Sequence, residues 1–357
     1  MSRILVAMSG GVDSSVAAAV LASEGHDVVG VTMKLWGGPS DTGCCSVSDV
    51  DDARRVAQQL DIDHHVFNFG AEFDRHVVAP YVADHAAGRT PNPCVECNRH
   101  LKFDRLLRRA DALGFDAVAT GHHARRVDRA DGAGGVRIAR GADRGKDQSY
   151  VLYPLHGEAL ARTLFPLGHL TKDDVRSLAA ELGLRTAAKP DSQDVCFITR
   201  EKGGRGTFLG DRIPLRRGAI VDREGAVLGS VDAVELVTVG QRRGLDIGGP
   251  GGPHYVVDVD VPGATVVVGS AEDLLADEVR LESMVWAGAP WSGPTLAQCS
   301  AHGRTQTAVV EAIGPDRVLL RWDEPQRRVA VGQSVVLYDG DVVVGGGIAT
   351  GANGPPW

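Results

Sequence analysis

The chain has 357 residues, with 38 Lys plus Arg, 46 Asp plus Glu and a formal charge of −8. With 43% apolar and 24% charged residues it lies near the globular averages, which excludes wholesale disorder and a fibrous chain. The length points to two or three domains, and the acidic balance argues against a non-specific nucleic-acid coat. No apolar run approaches the roughly 18 residues of a membrane span. Ile4 to Met8 is too short for a signal-peptide core. A soluble cytoplasmic protein without membrane contact is expected.

Residues 3–8 read as a buried strand, followed by Ser9-Gly10-Gly11-Val12-Asp13-Ser14 and a helix to about Ser23. Gly25 is a helix stop. Val28 to Val31 is a second strand. Residues 49–60 place Val50, Ala53, Ala57 and Leu60 on one helical face. His65 to Phe67 is a third strand, 71–87 a helix, 102–113 another helix and Ala117 to Thr120 a further strand. Strands alternating with helices predict a parallel α/β sheet. Two helical stretches follow over 157–187, the second opened by Thr171 with Asp173 and Asp174 in its first turn. Residues 200–206 read as a flexible basic linker. Beyond it, short β-branched segments separated by Gly, Pro and Asp predict antiparallel β structure, as a small central domain and a C-terminal barrel. The fold class is therefore α/β, with a parallel-sheet part over 1–200, a central β-rich part over 205–272 and a β-barrel over 273–357.

The glycine-rich string carries chemistry. Two glycines let the backbone approach a ligand, and the helix N-terminus behind them suits phosphate. The string lacks Gly-Lys-Ser/Thr, so it is no Walker loop. It also lacks the dinucleotide pattern Gly-x-Gly-x-x-Gly. It resembles the SGGxDS loop of the PP-loop ATP pyrophosphatases, which cleave ATP between the α and β phosphates. That resemblance implies ATP with Mg²⁺ at this loop.

Six cysteines stand at 44, 45, 94, 97, 196 and 299. Without an export signal a disulfide framework is not expected. Cys94 and Cys97 form one Cys-x-x-Cys just before a predicted helix, whose dipole would lower a nearby thiol pKa. Structural zinc normally needs a second pair. Cys44, Cys45 and Cys299 read as structural. His122 and His123 follow a strand end, where open sheets bind ligands.

The strings taken together resemble the bacterial tRNA-specific 2-thiouridylases. They are Met8 to Ser15, Gly43 to Ser46 with Asp49 to Ala53, Thr90 to Pro93, Cys97-Asn98 with Lys102-Phe103, Ala119 to His123 and Lys146 to Tyr150. Phe165 to Lys172, Asp191 to Ile198 and Gly240 to Leu245 continue them. The resemblance implies thiolation of the tRNA wobble uridine. ATP would adenylate the uracil C2 oxygen, and a persulfide on Cys196 would supply sulfur. A Cys97–Cys196 disulfide would remain.

By the same resemblance, Ala7, Met8, Ser9, Gly10, Gly11, Val12, Asp13, Ser14, Met33 and Gly121 are ATP positions. Asn92, Pro93, Cys94, Lys146, Asp147 and Gln148 are tRNA positions. A cysteine desulfurase or sulfur-relay protein would donate the persulfide. Many members carry an acid where Cys94 stands, credited with proton transfer, and an Arg-Tyr pair where this chain has Arg304-Thr305. Arg242 and Arg243 are open to phosphate contact or to solvation. The Cys94 departure leaves a second scheme open, a [4Fe-4S] cluster on Cys94, Cys97 and Cys196 with one open iron.

Overall fold

The computed structural model describes residues 1–36, 47–128, 135–191, 195–198, 203–247, 253–314 and 316–351. Cys44, Cys45 and residues 192–194 lie outside them. The chain divides into two compact units. The first is Met1–Val78 with Pro93–Thr199 and Asp341–Val344; the second is Ala79–Asn92 with Arg200–Gly340 and Gly345–Trp357.

The first unit is built on β1 (Arg3–Ala7), β2 (Asp27–Lys34), β3 (Asp63–Asn68) and β4 (Ala117–Thr120). A hairpin of β5 (Ala124–Asp128) and β6 (Val136–Arg140) follows, then β7 (Thr163–Leu164). The main sheet runs β3-β2-β1-β4-β7 with every neighbour parallel. Ile4, Leu5 and Val6 are fully buried, as expected of a central strand covered on both faces. Helices α1 (Val12–Ser23) and α2 (Val47–Gln59) lend Val16, Ala17, Ala53, Val56 and Ala57 to one core, joined by Val175 and Ala179 of the Lys172–Glu181 helix. Thr171 caps that last helix as expected, and Asp174 completes a capping box with it. Strand order reverses across β1, with β2 on one side and β4 on the other. The carboxyl ends of these two edges of β1 frame the crevice where such sheets take ligands.

The second unit holds the Ala79–Ala86 helix and a sheet ordered β10-β9-β8-β12-β11, made of β8 (Gly218–Val221), β9 (Val227–Val231), β10 (Asp246–Ile247), β11 (Tyr255–Asp260) and β12 (Thr265–Gly269). Ile220, Val234, Val256 and Val266 form its core. The C-terminal barrel uses β13 (Leu275–Trp286), β14 (Gly293–Gln298), β15 (Gln306–Ala312), β16 (Val318–Arg327), β17 (Ser334–Asp339) and β18 (Val342–Thr350). Its order is β13-β16-β15-β14-β17-β18, closed by β13 against β18. Closure removes the sheet edges. The fold is thus a parallel-sheet domain, a central five-stranded β domain and a six-stranded antiparallel β-barrel.

Three expectations need correction. The central β region is not wholly antiparallel, because β8 and β12 pair in parallel through Thr265 to Val267. The expected linker over 200–206 runs into a helix at Gly204–Gly210, where Phe208 and Leu209 are buried and outweigh the glycines. Cys94 and Cys97 do not precede a helix but lie inside one, which starts at Pro93 and continues through Cys97–Arg105 to Ala112. Proline fits the first helical position because its missing N–H has no intrahelical partner there. Residues Cys97–Arg105 run in π-helical turns, a geometry common at functional sites. Among the described residues no helix is long and apolar enough to cross a membrane.

Candidate active site

The loop after β1 is shaped by its small residues. The Ser9 N–H donates to Ser14 Oγ at 3.1 Å, and Ser14 Oγ donates to the Gly11 carbonyl at 3.2 Å. Gly10 has φ +76, and a Cβ there would run into the Asp49 carbonyl. Glycine is required on both counts. Gly11 is the N-cap of α1 and no side chain caps the helix, so its first-turn N–H groups face a ligand or water. Gly121, just beyond β4, closes the other side. A Cβ there would stand 2.7 Å from the Ser14 nitrogen. Met8 is buried and Met33, near the end of β2, is 9% exposed. The ATP positions expected from the sequence on β1, β2 and β4 thus gather at the strand ends.

Around this loop lies a charge network. Asp13 Oδ1 is 2.6 Å from Lys172 Nζ and 3.3 Å from His123 Nε2. Burial raises the Asp13 carboxyl, but His123 and Lys172 outweigh it and the net shift is downward. Lys172 Nζ also meets Asp191 Oδ1 at 2.8 Å. Asp191 in turn holds Lys146 Nζ and Arg176 Nη2, each at 2.8 Å. Burial opposes ionisation of Asp191, yet Lys146 and Lys172 bring it down to about 2. A second lysine, Lys189, donates to the Gly10 carbonyl at 2.9 Å, to Asp49 at 2.7 Å and to Asp52 at 2.8 Å. It braces α2 against the loop.

The structure thus links the expected tRNA residue Lys146 to the expected ATP residue Asp13 through Asp191 and Lys172. Its neighbours behave differently. Asp147 accepts from the Gly141 and Ser149 N–H groups, both at 3.0 Å, and Gln148 Oε1 accepts from the His123 N–H at 3.0 Å. These two side chains brace the turn that presents Lys146. Asn92 belongs to the second unit and Pro93 to the first. Arg242, Arg243 and Arg304 are exposed.

Cys97 is buried, Cys94 exposed and Cys196 half-buried. Cys97 and Cys196 are not bonded to each other in the structure. Phe197, the residue after Cys196, packs with ring centroids 5.4 Å from Phe73 and 6.2 Å from Trp36. Cys94 contradicts the expected thiol activation. Although solvent reaches it, densely packed surroundings push its thiol up, and the Lys102 charge offsets only part of that rise. Cys299, just past β14, is pushed up to about 12 by burial, as expected of an inert thiol. His122 is buried between Thr120 Oγ1 at 2.7 Å and Lys102 Nζ at 3.4 Å. Burial and the Lys102 charge keep it well below its ordinary pKa. Its Nε2 therefore accepts from the lysine, and its Nδ1–H donates to Thr120.

Among the described residues no group of three or more His, Cys, Asp or Glu side chains is placed to hold a metal ion. Cys94, Cys97 and Cys196 thus do not form a three-thiolate set in this conformation.

Sequence reasoning assigned no role to Lys172, Lys189, Asp191 or Asp143. One signal was present. Lysine occurs only six times among 38 basic residues, and three of the six, Lys146, Lys172 and Lys189, meet in this network.

Comparison with known proteins agrees with this layout. The family described as "tRNA methyl transferase HUP domain" matches residues 2–200. "tRNA methyl transferase PRC-barrel domain" matches 206–270, and "Aminomethyltransferase beta-barrel domain" matches 276–349. A tRNA-specific 2-thiouridylase MnmA of Roseiflexus castenholzii is 46% identical, covering 97% of this chain and 99% of that protein. The protein of the same name from Mycolicibacterium paratuberculosis is 46% identical, covering 98% and 99%. A solved 4-thiouridine synthetase–RNA complex with bound ATP is similar to 55% of this chain and 45% of that one, at 19% identity and a TM-score of 0.39.

Proposed function

Because the chain belongs to the tRNA-specific 2-thiouridylase family, we propose that it thiolates the wobble uridine of tRNA at C2 at the expense of ATP. In this reading residues 1–200 carry the chemistry, while 205–272 and 273–357 serve as the β-rich parts that help hold tRNA. The observation that carries it is the uncapped α1 start behind Ser9 to Ser14, with Asp13 at its mouth. Backbone N–H groups there suit the pyrophosphate end of ATP. Asp13 and the phosphates would hold Mg²⁺, which supplies charge neutralisation for the leaving pyrophosphate.

The uracil C2 oxygen attacks the α-phosphorus. A C2–O–P bond forms, the α–β phosphoanhydride breaks and pyrophosphate leaves. The C2 oxygen, otherwise a poor leaving group, now departs as AMP. The terminal sulfur of a Cys196 persulfide adds to C2, and AMP is expelled. The Cys97 thiolate then attacks Cys196 Sγ. The persulfide S–S bond breaks, its electron pair stays on the sulfur bound to C2, and a Cys97–Cys196 disulfide forms. A dithiol reductant supplies two electrons to reopen it, and a cysteine desulfurase or sulfur-relay protein reloads Cys196. Only a thiolate performs these attacks. Cys97 therefore has to reach Cys196 during the cycle although it is buried at rest.

We take the persulfide scheme over the cluster alternative because relatives that carry an acid in place of Cys94 lack a third thiolate there. Asp13→Ala is the direct test of the reading. It is expected to abolish tRNA-dependent pyrophosphate release, and unchanged release would overturn the loop assignment. Iron and acid-labile sulfide assayed after anaerobic purification decide between persulfide and cluster. Iron-dependent thiolation lost equally in Cys94→Ser, Cys97→Ser and Cys196→Ser would reverse the choice.

A further inference from the structure

We propose that Lys172 is the lysine that receives the phosphates of ATP, held ready by Asp13 and Asp191 until they arrive. The inference rests on the ATP reading above and extends it to a residue with no assigned role.

Lys172 is in an unfavourable place for a structural lysine. It is the first residue of its helix, at the positive end of the helix dipole, where acids are favoured and cations are not. It is also 7% exposed, and a buried ion pair gains little net stability over apolar packing. Its main chain is pinned. The Lys172 N–H donates to Asp143 Oδ2 at 3.0 Å, and the Thr171–Asp174 capping box fixes the residue before it. The amine sits on a four-carbon stem and can swing from this fixed root.

Both carboxylates can release it. Asp13 keeps His123 Nε2 at 3.3 Å, and Asp191 keeps Lys146 and Arg176, each at 2.8 Å. A shift of Lys172 from Asp13 to a phosphate oxygen therefore leaves neither acid without a cationic neighbour or donor, and it opens Asp13 to Mg²⁺. Lys189 lacks that freedom. It already ties the Gly10 carbonyl to Asp49 and Asp52, so it supports the loop from behind. Lys172 alone of the two contacts the loop through Asp13 in the first turn of α1.

The test compares a non-cleavable ATP analogue with AMP, in the presence of Mg²⁺, on the full chain. A phosphate-binding amine acts on the β and γ groups that AMP lacks. Lys172→Met is expected to lose about 10- to 100-fold in affinity for the analogue, with AMP affinity changed by less than about twofold. Parallel losses for both nucleotides would mark Lys172 as structural and overturn the inference. Asp191→Asn guards against a folding artefact, because it removes one resting partner and keeps the amine. Analogue affinity equal to or above wild type is expected, and a loss as large as that of Lys172→Met would overturn the proposal. Failure of the wild-type chain to bind the analogue at all would instead strike the ATP reading itself.

Discussion

The parallel-sheet region and the C-terminal barrel treat buried polarity in opposite ways. Within the first unit, Lys172, His122 and His123 are buried, and each is held by specific partners. The barrel strands bury Val335, Val336, Leu337, Tyr338 and Leu320, and their buried polar side chains, Thr295, Gln298 and Ser334, are uncharged. Burying a charge costs several kcal/mol unless it is paired and hydrogen-bonded. The parallel-sheet region accepts this cost at Lys172, which two carboxylates pair, whereas the barrel is held by closure and apolar burial.

The strongest way to break this contrast is through sulfur. Cys196→Ser is expected to abolish 2-thiouridine formation while adenylation, read as tRNA-dependent pyrophosphate release, persists. Substantial thiolation by that variant would refute the proposed chemistry. Cys299→Ser, which removes the thiol pushed up to about 12, is expected to leave thiolation intact.

Next in size is a stability effect. Leu337 is fully buried in β17. Leu337→Ala is expected to cost about 2–5 kcal/mol in denaturant unfolding, with nucleotide affinity unchanged below the transition. A nucleotide-affinity loss in the folded variant would show that the two regions are not energetically separate.

Acid provides a third handle. Burial lowers His85, in the second unit, to about 4 and pushes His122, in the first, well below its ordinary value. Between about pH 6.5 and 4 the unfolded chain then binds more protons than the native one, and stability falls on acidification. A slope of roughly 1 kcal/mol per pH unit per buried histidine is expected in that window. Asp191, lowered to about 2, acts elsewhere: its contribution is complete above about pH 4 and is lost as pH falls through its folded value. Stability that stays flat from pH 6.5 to 4.5 would contradict the neutral, buried state of both histidines.

The smallest expected effect is on RNA. Lys146, 39% exposed at its side chain, is expected to contribute one phosphate contact. Lys146→Ala should lower the salt slope of tRNA binding by about one and weaken affinity a few-fold at moderate salt. Unchanged affinity across salt would reduce Lys146 to a partner of Asp191.

Much of this was readable from short-range pattern. The β1–loop–α1 unit is written in consecutive residues, so Ala7 to Ser14 could be placed before any coordinates. Thr171 and Asp174 announced their helix in the same way. What escaped reading depends on pairings far apart in sequence. Lys172 meets Asp13 across 159 residues and Lys189 meets Gly10 across 179, and nothing near any of the four names its partner. The parallel β8–β12 pair and the β5–β6 hairpin were missed for a related cause, because β-branched runs give strand but not neighbour. Gly203 to Gly206 suggested a linker, and only the burial of Phe208 and Leu209 explains the helix there.

The contact between Gly10 and the Asp49 carbonyl sets a limit on inheritance and engineering. The loop's rear wall is α2, and Lys189 laces the two together. A graft of Ser9 to Ser14 into another parallel sheet would carry the glycines without the wall that gives them their shape. The portable unit is discontinuous: the loop, the first turns of α2 around Asp49 and Asp52, and a lysine arriving from a third segment. A transplant of the loop would therefore need all three pieces at once.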